Sequence, residues 1–416
     1  MSNNQRVAIV GGARTPFAKA GTALKEHTAL QLATHSVDGT LARVDLDPDL
    51  VDHLVYGIVT VDARVPHLAR EINFASRLSD SVRAVTVTDN CITSITAIEA
   101  VHDSISSGRS RVGIAGGVES MSNPSVLWSR NATRVLSDVQ GAKTLAEKAR
   151  IITRLRPRDL APHPPGVTEP STGLSMGEHT EITVKEWNIS RTEQDEIAYR
   201  SHMNAAAATA DGRLTAEIHP LDGITSDTTI RPGTSMDRLA ALPPVFDRSS
   251  AGTLTAGNSS PLTDGAASVV LMAESTAREL RIEPLAYIRA IEFAAIDPAD
   301  GLLMGPGVAV PRMLRRVGMD LGDFDLIEMH EAFGGQVLAN LAAWELGWKE
   351  EPVGKVDRDK LNQLGGSIAV GHPFAATGAR IVTQLANEMA RRDAGYGLIS
   401  ICGAGATAAA MILERT

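Results

Sequence analysis

The stretch TDNCITSITAIEAVHDSI, residues 88–105, is the point from which the fold can be worked outward. Its apolar positions Ile92, Ile95, Ile98 and Val101 recur every third residue, which suits the buried face of a helix. Cys91 then falls in the first turn, where unpaired N–H groups and the positive end of the dipole favour a thiolate. A cysteine is by default a small buried hydrophobe, and the surroundings of Cys91 decide against that default. The only other cysteine is Cys402; two are too few for a disulfide framework, so both read as free thiols.

To either side, short β-rich runs at 7–11, 54–59, 112–115, 326–329 and 398–401 alternate with helical stretches such as 92–107 and 378–391. This alternation predicts α/β layers. A faint internal repeat accompanies it. Asn90-Cys91 opens a helix that leads to strand 111–115 and Gly116-Gly117, while Gly371-His372-Pro373 opens a helix that leads to strand 397–401 and Gly403. Each copy places a reactive side chain at a helix N-terminus. Residues 123–251 differ, being richer in charge and in proline, with Pro157, Pro162, Pro164, Pro165 and Pro170 close together, and they read as an inserted loop domain with helices such as 191–211.

The chain of 416 residues is 43% apolar and carries a formal charge of −9, which argues against a broad nucleic-acid surface. The apolar run 7–12 is too short for a signal-peptide core and reads as a first buried strand. No stretch approaches the roughly 20 apolar residues of a membrane-spanning helix, and a soluble, cytoplasmic protein is expected.

Three further blocks carry chemistry. In GGSIAVGHPFAATGAR, residues 365–380, His372 sits in a glycine-rich turn before a helix. A neutral imidazole there, titrating near neutrality, could take a thiol's proton. In EMHEAFGG, residues 328–335, His330 and Glu331 stand at the C-terminal end of a strand, where α/β sheets bind ligands. Gly334 occupies the fourth position after His330, which excludes a zinc-binding HExxH helix, and no metal is expected. In SICGAGATAAAMILE, residues 400–414, Cys402 ends a strand and enters a small-residue turn whose N–H groups can hold an oxyanion.

In this order and spacing the four blocks resemble the thiolase superfamily over nearly the whole chain. TGLSMGEH at 172–179, ISRTEQDEIAYRSH at 189–202 and LTAGNSSPLTDGAA at 254–267 support the resemblance. The HEAF form at 330–333 is similar to the β-subunit of the fatty-acid oxidation trifunctional complex and its bacterial relatives. The resemblance implies a five-layer αβαβα subunit built from two similar halves, residues 1–122 with 252–277 and residues 278–416, with a loop domain at 123–251. It implies thiolase activity on 3-ketoacyl-CoA through an acyl-cysteine, with coenzyme A as co-substrate and no required cofactor. Cys91 would be the acylated nucleophile and His372 its base. Cys402 would move protons, and His330 with His372 would polarise the thioester oxygen, with Glu331 orienting them. The N–H groups of Cys91 and Ala404 would form a second oxyanion site, and Ser260 would touch the pantetheine arm of CoA. A homodimer, a hydratase–dehydrogenase partner subunit and peripheral membrane contact are the implied associations.

Departures from the family pattern raise three expectations. Alanine replaces the common glycine at 406 and 408 and should narrow the space at the thioester; Asp89 should raise the pKa of Cys91. Residues 124–165 carry eight Lys/Arg against three Asp/Glu, with Leu145, Ala149 and Ile152 at helical spacing. That segment is either a solvated cover for the loop domain or a basic docking surface. Two alternatives stay open: a ketoacyl synthase, which the second cysteine disfavours, and a degenerate fold that binds acyl-CoA or lipid without turnover.

Overall fold

The computed structural model describes residues 5–161 and 168–415. Its strands are β1 (Val7–Arg14), β2 (Ala18–Lys19), β3 (His53–Ile58), β4 (Arg83–Val87), β5 (Val112–Glu119), β6 (Thr263–Ala273), β7 (Ala286–Ala295), β8 (Leu326–Met329), β9 (Tyr396–Gly403) and β10 (Thr407–Glu414). The helices of the first half are α1 (Ala29–Val44), α2 (Leu68–Ala75) and α3 (Thr93–Ser106). Between β5 and β6 lie α4 (Arg130–Gly141), α5 (Leu145–Ile152), α6 (Met176–Glu186), α7 (Arg191–Ala210) and α8 (Met236–Ala240). The remainder are α9 (Glu274–Leu280), α10 (Pro306–Val317), α11 (Gly334–Leu346), α12 (Ser367–Val370) and α13 (Thr377–Arg392).

The strand order β4-β3-β5-β6-β1-β7-β10-β9-β8 is one topology used twice. In the first half β1 pairs antiparallel with β6, β6 antiparallel with β5, and β5 parallel with β3. In the second, β7 pairs antiparallel with β10, β10 antiparallel with β9, and β9 parallel with β8. The two half-sheets join edge to edge through the short pairing of Ala8 and Ile9 with Tyr287 and Ala286.

Alternation along the strands separates three apolar layers, because successive side chains of a strand point to opposite faces. Val7 and Ile9, Val269 and Leu271, and Met411 and Leu413 face a central core, which they share with Ile95, Ile98 and Val101 of α3 and Ile381, Leu385 and Met389 of α13. The intervening residues Ala8, Val270 and Met272 meet α1 and α2 outside the first half-sheet. Ala408, Ala410 and Ile412 meet α10 and α11 outside the second. Helices, sheet, helices, sheet, helices follow in sequence, the five layers that the resemblance implied. In the middle layer α3 and α13 approach closely, since a Cβ on Gly378 would lie 2.7 Å from Ser94 Oγ. That same hydroxyl accepts the Ala379 N–H at 2.8 Å. Cys91 and His372 stand in the turns that lead into these two helices.

Of the segment between β5 and β6, Pro157 opens a short turn, while Pro162, Pro164 and Pro165 lie outside the described residues. Helix α5 rests on α4 and has no buried residue. Among the described residues no helix is long and apolar enough to cross a membrane.

Candidate active site

Cys91 stands in a single 3₁₀ turn, Asn90–Ile92, that feeds α3. Asn90 is left-handed, φ 48°, a conformation asparagine tolerates better than most residues. Its side-chain amide donates to the Ala404 carbonyl at 2.8 Å, fastening the Cys91 turn to the β9–β10 turn. Cys91 keeps part of its surface open, as a nucleophile needs, whereas Cys402 on β9 is buried among Val184, Leu254, Leu303, Ala332 and Phe333.

His372 Nε2 lies 3.2 Å from Cys91 Sγ. Its other ring nitrogen meets Thr377 Oγ1 at 2.7 Å, and its backbone N–H donates to Thr263 Oγ1 at 3.0 Å. The ring of His330 is 4.1 Å away, centre to centre. His330 Nδ1 meets Ser367 Oγ at 2.8 Å, while its buried Nε2 has no partner among the described residues. The sulfur of Cys91 and one ring nitrogen each of His330 and His372 lie within 4.8 Å of one another. Three groups from three loops therefore face one small volume.

Glu331 does not face that volume. It accepts from the Ser201 hydroxyl at 2.6 Å, the Asn362 amide at 2.6 Å and the Ile368 N–H at 3.2 Å. A Cβ on Gly366 would come within 2.2 Å of its carboxyl carbon, so glycine there admits the carboxylate. Burial raises the pKa of Glu331 and these three donors oppose the shift. The carboxylate fixes the 362–368 loop, and through Ser367 it fixes His330. Half-buried Ser260 is strapped beside this turn, its N–H donating to the Ala332 carbonyl at 3.0 Å.

The electrostatics of the site are dominated by burial. Burial pushes the Cys91 thiol up to about 12, against the pull of the Ala404 and Cys91 N–H groups. Burial, with Arg380 adding to it, pulls His372 down to about 3. Desolvation thus opposes the thiolate that the helix terminus favours, and it opposes the imidazolium as well. Cys402 is raised well above an ordinary thiol, by burial and then by Cys91. Asp89 is also not the carboxylate that Cys91 senses. It accepts from the Thr96 hydroxyl at 2.7 Å, whereas Glu119 raises the thiol's pKa.

Glu119, at the end of β5, is one of the residues that sequence reading missed. It is buried and accepts from the N–H groups of Thr60 at 2.7 Å and Ala375 at 3.3 Å, binding the turn after His372 to the first half-sheet. Its signal was available, a carboxylate at a strand's C-terminal end like Glu331. Ser367, Thr377 and Arg380 were missed as well, and only their contacts reveal them. Ala406 is fully buried with φ 58°. The methyl of Ala408 points into the outer core beside Gly305, so it cannot narrow the space at the thioester.

The two halves match the family models described as Thiolase, N-terminal domain, over residues 7–275, and Thiolase, C-terminal domain, over residues 282–415. The chain is 44% identical to a 3-ketoacyl-CoA thiolase of Klebsiella pneumoniae, over 98% of this chain and 97% of that one. It is 45% identical to a 3-ketoacyl-CoA thiolase of Serratia proteamaculans, over 99% and 97%. Among solved structures it is similar to the Bacillus anthracis acetyl-CoA acetyltransferase, with a TM-score of 0.86 and 30% identity over the whole of both chains. The human mitochondrial 3-ketoacyl-CoA thiolase in complex with CoA gives a TM-score of 0.85 and 28% identity, over 100% and 99%. Fold, repeated halves and both family models agree, and the chain belongs to the thiolase family.

Proposed function

We propose that this protein is a 3-ketoacyl-CoA thiolase of fatty-acid or related lipid degradation, with Cys91 as its acylated nucleophile. The observation that carries this is the 3.2 Å approach of His372 Nε2 to Cys91 Sγ beside the unpartnered Nε2 of His330. In cleavage, Cys91 gives its proton to His372 and the sulfur attacks the 3-keto carbon. The bond between the α and β carbons breaks, and its electron pair moves onto the oxygen of the departing acetyl thioester. His330 and protonated His372 donate to that oxygen, and Cys402 protonates the α carbon to release acetyl-CoA. The thiol of CoA then attacks acyl-Cys91, its proton passing to Cys402, while the N–H groups of Cys91 and Ala404 hold the tetrahedral oxyanion; the acyl–Cys91 bond breaks, acyl-CoA leaves, and the Cys91 sulfur takes its proton back from His372. Losing one such donor typically costs about 3–4 kcal/mol in the barrier. The covalent intermediate divides a difficult transfer into two easier steps.

CoA is read as co-substrate, with no further cofactor. A cleft lined by Lys19, His202, Thr228, Arg231, Ala256 and Ser259 supports this, since it sets basic side chains for phosphates next to Ser260. The open outer edge of β4 supports a homodimer. Two free cysteines fit a reducing cytoplasm. A hydratase–dehydrogenase partner subunit and peripheral membrane contact are associations that the exposed α4–α5 face could serve.

Acetoacetyl-CoA and CoA together should lose ketoacyl absorbance in the presence of the protein, and mass spectrometry should find an acyl adduct on Cys91. Cys91→Ala should abolish both signals. His372→Ala should be far more damaging than His330→Asn, because asparagine still donates while alanine removes base and donor together. An adduct on Cys402 would overturn the roles given to the two thiols. Binding of acyl-CoA without turnover would instead favour a non-catalytic binding protein.

A further inference from the structure

We infer that Ser367 and Arg380 are positioning residues that set the tautomer of His330, keeping a proton on Nε2 so that this nitrogen donates into the site. A buried imidazole has one donor and one acceptor nitrogen when neutral, and the partner of one nitrogen fixes the state of the other. Burial, then His372 and Arg380, hold His330 neutral. Its Nδ1 contacts Ser367 Oγ at 2.8 Å. Arg380, a guanidinium that can only donate, points Nη2 at the same hydroxyl at 3.1 Å.

Ser367 Oγ thus already accepts from Arg380. If it also accepted from a protonated Nδ1, the serine's own hydrogen would be left without an acceptor, since no other partner of this buried hydroxyl occurs among the described residues. The arrangement that strands nothing on that side runs from Arg380 to the Ser367 oxygen and from the serine hydrogen to Nδ1. The ring proton then sits on Nε2, the one atom of His330 that is buried and unpartnered. Arg380 is itself held by Gln384, to which it donates at 3.2 Å, and Gln384 donates to Glu328 at 3.1 Å.

This wiring has a second consequence. A thiol and two neutral imidazoles with their ligand atoms within 4.8 Å of one another have the makings of a zinc site, for which each nitrogen must offer a lone pair. With its proton on Nε2, His330 must give that proton up before this nitrogen can ligate, which weakens zinc binding and favours use of the cluster as an oxyanion device. Orientation of a ring nitrogen by its outer partner normally favours metal binding. Here the same kind of contact opposes it.

The inference rests on the thiolase reading for the use of the donor, and the test separates the two. In ¹⁵N-histidine-labelled protein, with His330 assigned from the His330→Asn variant, long-range ¹H–¹⁵N spectra should show the proton on Nε2. That measurement requires no turnover. Ser367→Ala should give a mixture of both tautomers, lower kcat with little change in the KM for CoA, and bind zinc on the order of tenfold more tightly. Adding His330→Asn to Ser367→Ala should cancel the gain in zinc affinity. A proton on Nδ1 in the wild-type protein would overturn the inference whatever the variants do. So would a Ser367→Ala protein in which neither tautomer nor zinc affinity changes.

Discussion

Cys91 and His372 are 3.2 Å apart, and burial works against the charged form of each, raising the thiol's pKa and lowering the imidazole's. Alkylation of Cys91 by iodoacetamide should therefore be slow near neutrality. Its rate should climb continuously towards about 12, because raising the pH is what deprotonates a thiol whose pKa is elevated. Rates followed by mass spectrometry that plateau at or below neutral pH would mean a resting thiolate. Ala406 offers a second test at this scale. Its left-handed backbone, φ 58°, costs an L-residue about 1–2 kcal/mol. Ala406→Gly should thus raise the denaturation midpoint by roughly 1 kcal/mol of stability, less what glycine's unfolded freedom takes back. A lower midpoint would show that the buried methyl contributes more than the strain.

Helices α4 and α5 are the elements whose residues fit their surroundings least. Leu145 is 86% exposed, Leu127 59%, and Val126, Trp128, Leu136, Ile152 and Leu160 are also open. Arg130, Arg134, Lys143, Lys148, Arg150, Arg154, Arg156 and Arg158 lie along the same segment. Helix α5 packs on α4 while burying none of its own residues, so its apolar side chains stay open to solvent. An apolar patch with a basic surround is what an anionic membrane or an acidic partner would meet. The protein should co-sediment with vesicles of anionic lipid and be released by salt. Reversing the charge of Arg150, Arg154 and Arg158 together should weaken binding, each residue contributing on the order of 1 kcal/mol. Affinity for CoA should stay unchanged. Sedimentation that responds to neither salt nor the triple variant would remove the membrane reading.

On the scale of the whole molecule, the insertion is tied to the first half-sheet by buried charge. Arg14 of β1 donates to both oxygens of Asp227, at 2.6 and 2.8 Å, and the Phe17 N–H donates to the same carboxylate at 2.8 Å. Glu217 lies 3.8 Å from the guanidinium. Removing one partner of a buried pair leaves the other charge uncompensated, typically at a cost of about 3–5 kcal/mol. Asp227→Ala should lower the thermal midpoint far more than removal of the exposed partner in Arg154–Asp138. Equal effects would show that Arg14 finds another acceptor.

Much was legible from neighbouring residues alone. The spacing of Ile92, Ile95, Ile98 and Val101 marks α3, and the second helical stretch and the five strand runs also lie where they were expected, with ends shifted by a few residues. Cys91 and His372 stand just ahead of α3 and α13, as the internal repeat suggested. Periodicity and turn chemistry are properties of adjacent positions, so a single chain carries them openly. The charge states of the site were not legible. They depend on how much water is excluded from Cys91 and His372, which is settled by strands and helices hundreds of residues away. Likewise Glu119, on β5, comes to influence Cys91 only through the packing of separate elements. The strand alternation that turns Ala408 away from the site is encoded locally. Which side of β10 faces the site was decided by the tertiary structure, because a strand's two faces acquire different surroundings only when layers pack against them.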